Sequence, residues 1–267
     1  MTPEEPIRVF LSHDVDWGKA GAPIPHVLAR RSRFDEAVLE NLDEKNPYQN
    51  IPEILEIEER HGLRSTFFFR TRMDSKHPPQ AYDIQEYRSD IRGMISGGWE
   101  VGLHSDPMSA GSKERLKEEK SVLEKISGTR VIGNRTHYTI DEENHGQLLG
   151  NLAALGFRYD SSIKYNRDRL VERDLGYFMR KGVSVFPIGL MDALMFRGLV
   201  NEEQVLEKVK EAVALCRGLP SKRVLTVTWH NCSLKMRFGR RYHEVVEYLA
   251  SEENVEILTG TELSKIL

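Results

Sequence analysis

Residues 8–17 read RVFLSHDVDW, an apolar run (Val9, Phe10, Leu11) that ends in two carboxylates, Asp14 and Asp16, with His13 beside them. A run of this length reads as the first, buried strand of an α/β domain. Acidic residues at the carboxyl end of such a strand lie where α/β barrels collect their chemistry. In extended backbone, residues i and i+2 share a face, so Asp14 and Asp16 converge on one point. Two like charges that close raise one pKa unless a cation stands between them or one works as a base. The plainer alternative is a strand-end turn in which both aspartates bind backbone N–H groups.

Outward from this stretch the same alternation continues. A helix over 51–61, with Ile54, Leu55 and Ile57 on one side, stops at Gly62, and a second strand over 64–70 carries Phe67, Phe68 and Phe69. Helical spacing over 84–96, 113–126, 142–155, 202–216 and 242–250 alternates with strands over 99–104, 130–138, 157–163, 183–188, 223–230 and 255–258. Seven or eight strands alternating with helices, without a repeat or a composition break, predict one barrel-like α/β domain over 1–267.

Composition bounds the function. Apolar residues make up 39% and charged residues 30%, as in a globular protein. A net charge of −3 gives no electrostatic case for nucleic acid or an anionic membrane. No stretch approaches the roughly 20 apolar residues of a membrane span. The start, MTPEEPIR, is acidic and lacks a signal-type apolar segment. Cys216 and Cys232 are far apart and read as free thiols, so a cytoplasmic location is expected. Residues 18–50 hold turn formers and the run Arg30, Arg31, Arg33, and a stretch this long reads as a loop folded over the site. Those arginines suit an anionic or sugar substrate, although such a run is more often a solvated face. The segment at His77-Pro78-Pro79 reads as a lid or a connection.

The strand ends carry Asp14 and Asp16, His104, Arg135 with His137, Asp160, and His230. Carboxylate plus imidazole suits a divalent transition metal with open positions for water. The remaining carboxylate and imidazole supply a base and an acid.

At these residues the sequence resembles the polysaccharide deacetylases, carbohydrate esterase family 4, also called the NodB-homology domain. Ser12-His13-Asp14-Val15-Asp16 is similar to a variant of the family's first motif, and Ser65–Phe69 to its second strand. Residues 99–105 resemble the strand ending in a metal-binding histidine, and Arg135 lies where the third motif has its arginine. Residues 156–162, GFRYDSS, resemble the fourth motif, and Thr228-Trp229-His230 the fifth. The resemblance implies a distorted (β/α)7-8 barrel that hydrolyses an N-acetyl amide or a related C–N bond by metal-assisted attack of water. It implies Asp14 as general base, Asp16 and His104 as metal ligands and His230 as general acid. Arg135 would orient Asp14, Asp160 would be its polar or ionic support, and Tyr138 and Trp229 would face substrate. Zinc is the expected ion, with cobalt, nickel and iron as alternatives.

The pattern breaks at two places. Where the family usually has a second metal histidine, four residues after the first, this chain has Met108, a poor ligand for such an ion. His137, Asp106 or a water could replace it, and His137 is favoured because it shares a strand end with Arg135. The proline that usually follows the arginine is also absent. The expected substrate is a soluble sugar or oligosaccharide, a nucleotide-linked sugar or a small cyclic amide, with no nucleic-acid or membrane partner. A lapsed carbohydrate-binding barrel is the alternative, motivated by Met108. A glycosidase-like barrel pairing Asp14 with Asp160 or Asp192 is a third.

Overall fold

The computed structural model describes residues 5–72 and 82–267; the His77-Pro78-Pro79 segment lies outside them. The strands are β1 (Ile7–Val15), β2 (Thr66–Phe69), β3 (Glu100–Ser105), β4 (Gly133–Thr136), β5 (Tyr159–Asp160), β6 (Phe178–Arg180), β7 (Val183–Val185), β8 (Leu190–Met191), β9 (Val224–His230) and β10 (Val255–Leu258). They form a ten-stranded sheet in the order β6-β7-β5-β4-β3-β2-β1-β9-β8, with β10 paired to β1. Only β6 and β7 run antiparallel among the recorded pairs.

β1 sits at the centre, flanked by β9 along Arg8–Asp14 on one edge. Its other edge is shared, with β10 against Ile7–Phe10 and β2 against Ser12–Val15. The sheet curls until one extended run joins its ends. Phe186 N–H donates to Asp160 O at 2.9 Å and Ile188 N–H to Ile163 O at 2.8 Å, after which Gly189 N–H donates to Thr226 O at 3.1 Å. Residues 183–191 thus leave β5 and arrive at β9. The result is the expected distorted barrel.

Side-chain alternation divides the strands into two faces. Phe10, Phe68, Tyr159, Phe186, Val224 and Leu263 fill the interior. Val9, Leu11, Phe67, Phe69, Leu225 and Val227 face outward into the larger core beneath the helices. Tyr159 explains two glycines: a Cβ on Gly133 or Gly260 would lie 2.1 or 2.2 Å from its ring. The helix Ile51–Arg60 begins with Pro52 in its first turn and buries Ile51, Ile54 and Ile57.

The expected strands over 130–138 and 157–163 are shorter, four and two residues. Beyond them the backbone turns to serve the site. The hairpin joining β6 to β7 was not expected. Its two-residue turn, Lys181-Gly182, has φ of 54° and 77°, the left-handed pair that such hairpins require. The helix Gly260–Ile266, capped by Thr259 and Glu262, is also additional. Residues 18–50 fold over the carboxyl ends of β1 and β9, where Trp17, Ala22, Val27, Phe34 and Tyr48 pack with Cys232 and Met236. No described helix is long and apolar enough to cross a membrane.

Candidate metal centre and active site

Because β1 puts Phe10 inside the barrel, Ser12, Asp14 and Asp16 follow on the same face, rising towards the mouth. By the same alternation β3 presents His104, β4 presents Arg135 and then His137, and β9 presents His230. These ends meet in a cavity of about 530 Å³ lined by Asp14, Asp16, His104, His137, Tyr138, Asp192 and His230 among others.

One atom each of Asp16, His104 and His137 lies within 4.8 Å of the other two. His104 Nε2 is 3.2 Å and His137 Nε2 3.6 Å from Asp16 Oδ1. His104 Nδ1–H donates to Arg135 O at 2.9 Å, since a carbonyl can only accept, and this leaves the lone pair of neutral His104 on Nε2. Among the described residues, buried His104 Nε2 and Asp16 Oδ1 have no hydrogen-bond partner. A carboxylate and two imidazoles, two of their donor atoms buried and unpaired, fit a divalent cation of the zinc type. Burial opposes ionisation of Asp16, yet His137, His104 and His230 hold its carboxyl well below the usual range. Burial also pushes His137 down against the pull of Asp16, which favours the neutral imidazole that a metal needs.

His137 is held differently from His104. Its Nδ1 has no hydrogen-bond partner among the described residues, but the Tyr138 ring stacks on it at 3.8 Å and 23°. Tyr138 and the following Thr139 have φ of 66° and 64°, a left-handed pair costing about 1–3 kcal/mol per residue. That turn brings the ring back over the imidazole and keeps Tyr138 half exposed at the mouth.

Two ion pairs flank the triad. Arg135, fully buried, donates from Nη1 to Asp14 Oδ1 at 2.8 Å. Its other nitrogens are fixed by Ser12 Oγ at 2.9 Å and by Ser161 O and Oγ at 3.0 Å. Burial raises the Asp14 pKa, but the Arg135 guanidinium, with His104 and His230, brings it below the ordinary value. On the other side His230 Nδ1–H donates to Asp192 Oδ1 at 2.5 Å, and His230 N–H to Asp192 Oδ2 at 2.9 Å. Ser233 Oγ–H also donates to Asp192. His230 Nε2 points back to Asp14 Oδ2 at 3.8 Å and Asp16 Oδ2 at 3.7 Å. Burial disfavours the imidazolium, but Asp192, Asp16 and Asp14 outweigh it and raise the pKa to about 10.

Asp14, Asp16, His104, Arg135, His137, Tyr138 and His230 therefore come together. Two expected residues do not. With Tyr159 inward, Asp160 points outward, where it accepts from Asn134 at 2.8 Å, Ser162 at 2.6 Å and His145 at 2.9 Å. No hydrogen bond from Arg135 reaches it among the described residues; it braces β4 and β5 from behind rather than supporting Arg135 or Asp14. With His230 inward, Trp229 is 1% exposed and packs on Phe196 and Tyr242, away from any substrate. Met108 is 53% exposed on the turn Pro107–Ser109, and Asp106 caps that turn by accepting Met108 N–H at 2.8 Å. Neither belongs to the triad. Asp192 as the partner of His230 was missed, because β8, only two residues long, leaves no periodic signal.

No family model matches the chain, and no curated protein matches it. Solved structures do. A protein from Mycobacterium smegmatis assigned as a polysaccharide deacetylase superposes with a TM-score of 0.68 at 16% identity, covering 100% of this chain and 92% of its own. The PuuE allantoinase gives 0.66 at 16% identity, covering 98% and 91%. A mutant of a CE4 family pseudoenzyme with restored enzymatic activity gives 0.54 at 14% identity, covering 99% and 69%. At such identities the likeness is one of fold, and the fold is that of the polysaccharide deacetylases.

Proposed function

We propose that the protein is a metal-dependent hydrolase of a C–N amide bond, a carbohydrate N-deacetylase acting on a soluble sugar substrate. The observation that carries this reading is the meeting of Asp16, His104 and His137 between the Asp14–Arg135 and Asp192–His230 pairs. Asp16, His104 and His137 would hold the metal, which when bound lowers the pKa of water and polarises a carbonyl.

The chain's own groups supply the proton transfers. Asp14, kept ionised and aimed by Arg135, accepts a proton from the attacking water as oxygen bonds to the acyl carbon. His230 carries a proton on Nε2 and is fixed through Nδ1 by Asp192. It delivers that proton to the amide nitrogen as the C–N bond breaks, leaving a carboxylate and an amine. Tyr138 borders the mouth and donates towards the developing oxyanion. The lapsed alternative took its motive from Met108. That motive weakens on this reading: Met108 is on the surface, and the nearness of His137 to Asp16 and His104 supports it as the third ligand.

The test is elemental analysis of protein purified without chelator, for wild type and His137→Ala, beside turnover of N-acetylated sugars. Near one equivalent of zinc, cobalt, nickel or iron in wild type, lost with activity in the variant, is the expected outcome. No metal in wild type after soaking in each ion would overturn the reading.

A further inference from the structure

The cavity's charged residues separate by depth. Its lining carboxylates, Asp14, Asp16 and Asp192, are all on the floor, and the lining holds no glutamate or lysine. Its five arginines line the outer part: Arg33, Arg167, Arg197 and Arg237 are exposed and Arg30 is half-buried. The chain as a whole carries a net charge of −3, so this is a local reversal of sign.

The loops bearing these arginines are joined. Arg237 N–H donates to Arg33 O at 2.7 Å, and the Phe196 and Phe238 rings beside Arg197 and Arg237 are 5.7 Å apart. Arg167 faces them from the β4 side, its guanidinium donating to Tyr138 O at 3.0 Å and Thr139 Oγ1 at 2.8 Å. Like charges gathered this way repel, and elsewhere the protein neutralises them: Arg240 and Arg241 both bind Glu202. At the mouth that neutralisation is thin. Among the described residues, the guanidinium groups of Arg33 and Arg197 have no hydrogen bond or ion pair, Arg30 binds only His26, and Arg237 reaches Glu202 only at 3.7 Å. The excess positive charge is felt inside the cavity, where burial and then Arg30 and Arg33 push His26 down.

We propose that the substrate is a phosphate-bearing acylated sugar, its amide on the floor and its phosphate among the mouth arginines. This rests on the hydrolase reading of the floor and adds the substrate class. Planar guanidinium forks match phosphate oxygens in pairs. Several cations around one opening suit a dianion or a diphosphate better than a single carboxylate. The depth of the cavity separates the two ends of such a molecule, so the phosphate anchors it without touching the reacting bond.

The test compares kcat/KM on N-acetylglucosamine, its 1-phosphate and its uridine diphosphate conjugate, with calorimetric binding of inorganic pyrophosphate, for wild type and the double variant Arg33→Gln, Arg197→Gln. The expected preference of wild type for the phosphorylated sugars is about a hundredfold, expressed in KM, at roughly tenfold for each arginine engaged. The double variant loses most of that ratio and binds pyrophosphate at least about tenfold more weakly. A higher value on the uridine diphosphate sugar marks a nucleotide-linked substrate, and on the 1-phosphate a simple sugar phosphate; both support the proposal. Equal turnover of neutral and phosphorylated sugars, or a preference undiminished in the double variant, would overturn it while leaving the hydrolase intact. Arginine-dependent pyrophosphate binding without hydrolysis of any sugar would overturn the hydrolase and keep the anion site.

Discussion

The two ion pairs beside the triad use the same ingredients, a carboxylate and a cation, and lead to opposite uses. In one the permanent charge is on the cation: Arg135 cannot give up its proton, so the consequence falls on Asp14, which stays ionised although only 2% exposed. In the other the cation can titrate, and Asp192 holds the proton on His230, raising its pKa to about 10. A site can thus keep an acceptor and a donor charged within 4 Å of each other by choosing which partner is able to change. Burial acts against both groups, and the named partner decides each outcome.

Asp14→Asn attacks the first pair and should have the largest effect. Turnover is expected to fall by about 10³-fold or more with metal content unchanged, read by kcat and elemental analysis. Loss of metal as well would mean that Asp14 and Asp16 have exchanged roles. Asp192→Asn attacks the second pair. It removes the negative charge that holds the proton on His230 without emptying the cavity, and kcat should drop about a hundredfold with little change in KM. A full rate would show that His230 keeps its proton without that charge.

A third buried carboxyl sharpens the contrast because no salt bridge among the described residues compensates it. Glu119 is 2% exposed, accepts Asp106 N–H at 3.1 Å, and has no hydrogen bond at Oε1. Burial pushes it up to about 7, against the smaller pull of Ser109, the Asp106 N–H and Arg72. A raised native pKa means that the folded state binds more protons than the unfolded one between the two values. Its stabilising contribution is therefore complete below the unfolded value of about 4.5 and is lost as pH rises through about 7. The loss amounts to about 3 kcal/mol. Urea unfolding from pH 4.5 to 8 should show that slope in wild type, and Glu119→Gln should flatten it. An unchanged slope would show that Glu119 is ionised at neutral pH like Asp14.

How much of this was legible beforehand follows from the reach of each signal. Apolar runs and their terminal polar residues placed β1, β3 and β9, and with them Asp14, Asp16, His104 and His230, because long buried strands leave a periodic trace. Residue types at a strand end also pointed to His137 once Met108 was seen to be unsuitable. The misplacements of Asp160 and Trp229 have one cause: a motif names neighbours, whereas alternation sends neighbours to opposite faces. Taking Tyr159 and His230 as inward would have turned both outward. Asp192 and the β6–β7 hairpin escaped because they rest on strands of two and three residues, whose pairing is set by distant partners. The arginines at positions 30 and 33 looked like a solvated face; their placement at the mouth depends on contacts with residues about 200 positions later, such as Arg237 with Arg33.

The position of β1 also imposes an order in time. It is the first strand in the chain, yet it pairs with β9 through Arg8–Asp14 and with β10 through Ile7–Phe10. On a ribosome adding about 5–20 residues per second, β1 therefore emerges long before the two strands that complete its edges. During that interval its apolar backbone has only β2 to pair with, and Asp14 has no His230 opposite it. A chain halted before residue 224 therefore has Arg135, Asp16, His104 and His137 in hand but lacks His230 and the two strands that complete the edges of β1.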